Sequence, residues 1–203
     1  MASVDTPKRG MDVVPALQVL IDHRRADQIV VTNQGSARVW PKLTQSPLDF
    51  HYNPSTMGGA VPLALGLALA QPQREVLVVS GDGALLMSLG SLVTVVGTGV
   101  TNLTVVVLNN GLYEVTGAQK TPAANDAIDF PGLARAAGFP TASEFADLEQ
   151  WRAEAIKTLT AAGPRFISLI VQPTPPELLR FPPPPLLEQI GRLRETLQLS
   201  NGV

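Results

Sequence analysis

Two short polar clusters stand where apolar runs stop. The run Val76-Leu77-Val78-Val79 passes through Ser80 into Gly81-Asp82-Gly83-Ala84, and Leu103-Thr104-Val105-Val106-Val107-Leu108 ends in Asn109-Asn110-Gly111. Both runs are short, β-branched and closed by turn formers, as strands buried on both faces should be. Asp82 and the two amides therefore sit at the carboxyl ends of strands. Asp82 and Asn110 are 28 positions apart, enough for a helix and a return strand of a parallel pair. Neighbouring strands lie about 4.8 Å apart, so the two ends can converge on one ion at the edge where open parallel sheets bind ligands. A carboxylate, an amide oxygen and a nearby backbone carbonyl are hard donors suited to Mg²⁺, which completes its octahedron with phosphate oxygens and water. A helix starting after Gly83 offers unpaired N–H groups to a phosphate, and Gly81 and Gly83 let the backbone approach closely. Gly-Asp-Gly alone also occurs in tight turns; its offset from the Asn-Asn pair is what points to a site.

These ends need a sheet to hold them. Four segments read as buried parallel strands, residues 28–32, 76–80, 103–108 and 166–171, and helical spacing covers 11–24, 57–70, 84–96, 130–137 and 143–161, the last with Ser143 as its N-cap. Alternation of this kind predicts an α/β fold: a doubly wound, mainly parallel sheet with helices on both faces, three layers deep. One domain is expected over residues 1–172. At Pro173 the composition changes: residues 173–185 are rich in proline and predict a stiff, extended spacer. Beyond them Leu186, Leu187, Ile190, Leu193 and Leu197 recur at helical spacing, so 173–203 is read as a spacer and an amphipathic helix that docks on a partner or packs back on its own domain.

Composition removes several classes of function. A formal charge of -2, with Lys and Arg scattered, provides no polycationic face for nucleic acid. The chain has no cysteine, so any metal must use oxygen or imidazole ligands. No apolar stretch is long enough to cross a bilayer, and a cytoplasmic protein is expected. Charged residues make up 16% of the chain, against about 25% in a typical soluble domain. So few charges suggest a large apolar face covered by other chains; a thick core with small-residue helices is the plainer account.

With the two clusters in place, the sequence resembles the thiamine diphosphate-dependent enzymes, whose signature is Gly-Asp-Gly followed one crossover later by Asn-Asn. Leu65-Gly66, Pro72, Leu77 and Val79 also fall at the spacings of the family's longer signature. The resemblance covers approximately residues 10–172 and implies roles. Asp82 and Asn110 would bind Mg²⁺ through their side chains and Leu112 through its carbonyl. Gly81, Gly83, Ala84 and Tyr113 would line the cofactor site, with Asn109 bracing the turn. Ser55-Thr56-Met57 resembles the loop on which the coenzyme folds, Met57 being the apolar wedge between its rings and Ser55 a partner of the aminopyrimidine. Gly35 and Ser36, in the turn after the first strand, are further diphosphate contacts, although a plain βα turn explains them as well.

The same resemblance implies an incomplete active site. Family enzymes carry a second α/β domain that supplies a glutamate to the aminopyrimidine, and this chain matches only the pyrophosphate-binding domain. A separate pyrimidine-domain subunit in a hetero-oligomer is therefore expected. The segment Asn109 through Gln119, with Phe50-His51-Tyr52 upstream, looks most like the sulfopyruvate and phosphonopyruvate decarboxylase group, implying loss of carbon dioxide from a small 2-oxo acid with an anionic head. Glu114 and His51 are the candidate catalytic proton relays. Lys120 and Arg38 are candidates for the anionic head, or plain surface charges. A carboligase of the acetolactate synthase type and a non-catalytic, cofactor-binding assembly subunit are the alternatives.

Overall fold

The computed structural model describes residues 10–125, 128–180 and 182–199. Its first half runs α1 (Val13–Asp22), β1 (Ile29–Asn33), α2 (Ser36–Leu43), β2 (Asp49–Tyr52), α3 (Ala60–Ala70), β3 (Val76–Gly81), α4 (Asp82–Leu86), α5 (Gly90–Gly97) and β4 (Leu103–Asn109). The second half adds a small hairpin, β5 (Leu112–Tyr113) and β6 (Gln119–Lys120), then α6 (Phe130–Ala137), β7 (Thr141–Phe145), α7 (Leu148–Leu159), β8 (Arg165–Ile170), α8 (Pro176–Leu179) and α9 (Leu186–Leu199). Six strands form one wholly parallel sheet in the order β2-β1-β3-β4-β8-β7.

Strand alternation sorts side chains into two cores. Val31, Val78 and Val105 pack with α3, α5 and α6 on one face, whereas Val30, Leu77 and Val106 pack with Leu17, Trp40 and Trp151 on the other. These are the expected three layers. Trp151 is fully buried and its indole N–H donates to the Ala16 carbonyl at 3.1 Å, so α7 is locked to α1 by packing and by a satisfied polar group.

The four expected strands are all present, but the sheet has two more. β2 and β7 are its edges. Neither shows an apolar run: Thr141-Ala142-Ser143-Glu144-Phe145 is mostly half-exposed, as an edge strand can be, whereas Asp49-Phe50-His51-Tyr52 is buried but carries polar residues that are paired, Asp49 with Arg24 and His51 with Thr32. Ser143 is consequently not an N-cap: it lies inside β7. The helix starts later, where the Asp147 side chain accepts from the Gln150 N–H at 2.9 Å. The helix expected over 84–96 is broken into α4 and α5, and the one expected from residue 57 starts at Ala60. α2 was not expected at all, since its eight residues include Pro41 and only a short apolar stripe.

The tail folds back on its own domain. Gln189 bonds both backbone groups of His51, accepting from its N–H at 2.6 Å and donating to its carbonyl at 3.1 Å, and Leu193 joins the α3-side core. The stretch expected to be extended contains the short helix α8, whose Leu178 and Leu179 carbonyls accept from Lys42 and Arg38 of α2, each at 2.7 Å.

Candidate functional site

From β1 the chain winds outward to β2, and from β3 it winds the opposite way to β4, so the loops after β1 and β3 diverge and open a crevice between them. β3 and β4 are direct neighbours, with Gly81 opposite Leu108. That register places Asp82 beside the Asn109-Asn110 turn. One cleft collects Gly35 and Ser36 from the β1 loop, Gly81 to Ala84 from the β3 end, and Asn110, Leu112, Tyr113 and Glu114 from the β4 end.

Asp82 is almost completely buried and accepts from the Thr121 hydroxyl at 2.7 Å. Burial pushes its carboxyl pKa up, while the Thr121 hydroxyl and the Gly83 and Gly111 amides pull it down. Asn110 Oδ1 accepts from the Leu112 N–H at 2.9 Å, which shapes the turn and leaves the amide oxygen a second lone pair. Gly83 has no room for a side chain: a Cβ there would stand 2.4 Å from the Tyr113 ring. Because α4 has only five residues, the Gly83 and Ala84 amides themselves are what this turn offers an anion, rather than the field of the long helix expected behind them. Ser36 is a brace, its Oγ 2.8 Å from the Asn33 carbonyl and 2.7 Å from the Val79 carbonyl, tying the β1 loop to β3.

Glu114 lies half-buried at the Gly35 end of the cleft. Its carboxylate accepts from both the backbone N–H and the hydroxyl of Thr174, the latter at 2.9 Å, and a Cβ on Gly35 would stand 3.1 Å from its Oε2. Burial raises its pKa, and the Asp82 charge raises it further. Two carboxyls thus share one low-dielectric cleft, and among the described residues neither is ion-paired to Lys or Arg. A donor set of this kind fits a divalent cation.

Residues 33–169 match the family described as thiamine pyrophosphate enzyme, C-terminal TPP binding domain. The chain belongs to that family. It is 35% identical over 161 residues to a phosphonopyruvate decarboxylase of Streptomyces viridochromogenes, covering 79% of this chain and 40% of that protein. It is 38% identical over 148 residues to the sulfopyruvate decarboxylase subunit beta of Methanothermobacter thermautotrophicus, covering 72% of this chain and 75% of the subunit. The chain therefore spans less than half of the first relative and three quarters of the second. The fold is shared with an X-ray structure of a candidate thiamin diphosphate-dependent enzyme from Mycobacterium smegmatis, at a TM-score of 0.67 and 24% identity, covering 84% of this chain and 34% of the other.

Within this TPP-binding domain the remaining expected residues fall in different places. Ser55, Thr56 and Met57 lie on the loop before α3, which the Gln34 amide joins to the β1 loop by donating to Ser55 Oγ at 2.8 Å. Ser88 Oγ holds the Gly58 carbonyl from the other side at 2.8 Å. His51 is not in the cleft. It faces a second cavity with Asp49, Pro184 and Arg192, its Nδ1 2.8 Å from Thr32 Oγ1, and burial and the nearby arginines lower its pKa to about 4. Arg38 is engaged with α8, and Lys120 lies exposed on β6. Thr121 and Thr174 were not expected; each reaches the site from a distant part of the chain, and no local pattern marks either.

Proposed function

We propose that this TPP-binding domain holds thiamine diphosphate and Mg²⁺ for a 2-oxo acid decarboxylase of the sulfopyruvate/phosphonopyruvate group, acting with a separate pyrimidine-domain subunit. The observation that carries the reading is the pairing of Asp82 and Asn110 at the ends of adjacent strands, in a cleft whose carboxyls have no Lys or Arg ion pair among the described residues. Asp82 and Asn110, with the Leu112 carbonyl, would hold the metal; Gly35, Gly83 and Ala84 would meet the diphosphate; Met57 and Ser55 would seat the rings. When bound, the coenzyme supplies the electron sink for breaking the bond to the carboxylate. The chain's own part is to orient it and exclude water.

The partner reading is supported by the name of the beta-subunit relative and by the surface. α3 and α5 carry no charged side chain, and Leu69, Met87 and Val93 on or beside them are more than half exposed. Apolar exposure of this extent is what a partner covers. Glu114 remains the candidate proton relay on this chain, although its carboxylate must leave Thr174 to serve the ring end of the cleft.

Co-expression with a pyrimidine-domain subunit, followed by titration with thiamine diphosphate and Mg²⁺, tests the reading. The assembled complex should bind the coenzyme only with a divalent cation, and Asp82→Ala should abolish that binding while the complex stays assembled. Unchanged affinity in Asp82→Ala overturns the metal assignment. Release of carbon dioxide and an aldehyde from sulfopyruvate or phosphonopyruvate supports the decarboxylase, whereas acetolactate formed from pyruvate moves the chain to the carboligases.

A further inference from the structure

Glu114 puts a carboxylate where an anion site is otherwise built. It stands against Gly35, a residue with no side chain to fill that space, and takes two hydrogen bonds from Thr174. One residue earlier, the Tyr113 ring lies against Gly83, the other glycine expected to meet the diphosphate. Residues 113 and 114 together therefore cover both glycine surfaces of the cleft. Thr174 is in turn the first anchor of the returning tail: four residues on, Leu178 and then Leu179 are held by Lys42 and Arg38 on α2, the helix that starts at the Gly35-Ser36 turn.

We propose that Glu114 is a resident anion that closes the diphosphate end of the cleft, and that loading of the coenzyme displaces it and unlatches the 173–180 segment. The inference rests on the cofactor reading above and adds its regulation. A diphosphate beside Asp82 leaves an excess of negative charge even with one divalent cation, so a third anion in the same low-dielectric space is repelled. The Thr174 amide and hydroxyl lose their acceptor when it leaves. With those bonds gone, the segment loses its tie to the cleft, while Lys42 and Arg38 still hold α8 from α2. The tail then reports whether the site is filled.

The test uses the full chain and Mg²⁺ with inorganic pyrophosphate, which probes the diphosphate end without requiring the rings or a partner. Glu114→Ala should bind the probe at least tenfold more tightly than wild type, and Glu114→Gln, which keeps the bulk and removes the charge, should fall between them. In the wild type, saturation with the probe should speed amide hydrogen exchange at residues 173–180. Equal or weaker binding by both variants, or unchanged exchange in saturated wild type, overturns the inference while leaving the cofactor site standing. Asp82→Ala separates the two ideas: binding that survives in this variant, or no binding by any form, removes the cofactor reading and the latch with it.

Discussion

Thr121 donates its hydroxyl to the Asp82 carboxylate at 2.7 Å, joining the end of β3 to the segment that follows the β5–β6 hairpin. A hydrogen bond to a buried carboxylate contributes about 1.5–3 kcal/mol, more than a neutral pair. Thr121→Val keeps the shape and removes the donor. Urea unfolding without metal should show a loss of about 2 kcal/mol, and Mg²⁺-pyrophosphate affinity should fall by up to about tenfold because the carboxylate is no longer oriented. Stability equal to wild type would mean that the bond is not made in solution.

Gly83 tests the cradle. A Cβ there meets the Tyr113 ring at 2.4 Å and Thr121 Cγ2 at 3.1 Å. Gly83→Ala must push Tyr113 away and narrow the approach to the Gly83 amide, so pyrophosphate affinity should drop about tenfold or more, roughly 1.4 kcal/mol for each decade. Gly83 is itself buried, so the same clash should also lower the thermal midpoint, and binding is therefore compared well below it. Undiminished binding by calorimetry would place the anion elsewhere.

His51 predicts a pH dependence. Its folded pKa of about 4 lies below the ordinary 6.5, chiefly because burial disfavours the imidazolium, with Arg192 and Arg24 adding to the effect. The unfolded chain therefore binds more protons between these values, and stability must rise with pH across that window. The contribution is fully present above about pH 6.5 and is lost as pH falls towards 4, on the order of 3 kcal/mol in all. His51→Gln should flatten the dependence of unfolding free energy between pH 4 and 6.5 relative to wild type. Identical profiles would show that His51 is solvated and not buried as described.

Gln189 spans the backbone of the edge strand β2 as another strand would, with one bond to each side of His51. Gln189→Ala leaves a buried N–H without its acceptor, at a cost of about 1–3 kcal/mol. Hydrogen exchange should then accelerate across α9 well before global unfolding, since the two Gln189 bonds join α9 to β2 alongside the packing of Leu193. Uniform exchange with the rest of the domain would show that apolar packing alone holds the helix.

The four central strands were legible because each is buried on both faces and must be a continuous β-branched run; that Asp82 and Asn110 lie close together was legible because they sit just past the ends of two of them. The edge strands were not. Asp49–Tyr52 and Thr141–Phe145 are short and polar, and Ser143 before an acidic stretch carries the same local signal as a helix cap. His51 shows the same limit within the site: the family resemblance suggested a proton relay in the cleft, yet its position on β2 turns it into a different cavity.

By itself, then, the sequence determined the strand cores, the parallel α/β class and the Asp82–Asn110 spacing, all of which follow from local burial and chain length. The tertiary structure alone decided strand order, the arrival of Thr121 and Thr174, and the direction in which Glu114 points. Those facts depend on which segments return to the same place at sequence separations of 39 to 60, and contacts between residues so far apart leave no periodic trace in the chain.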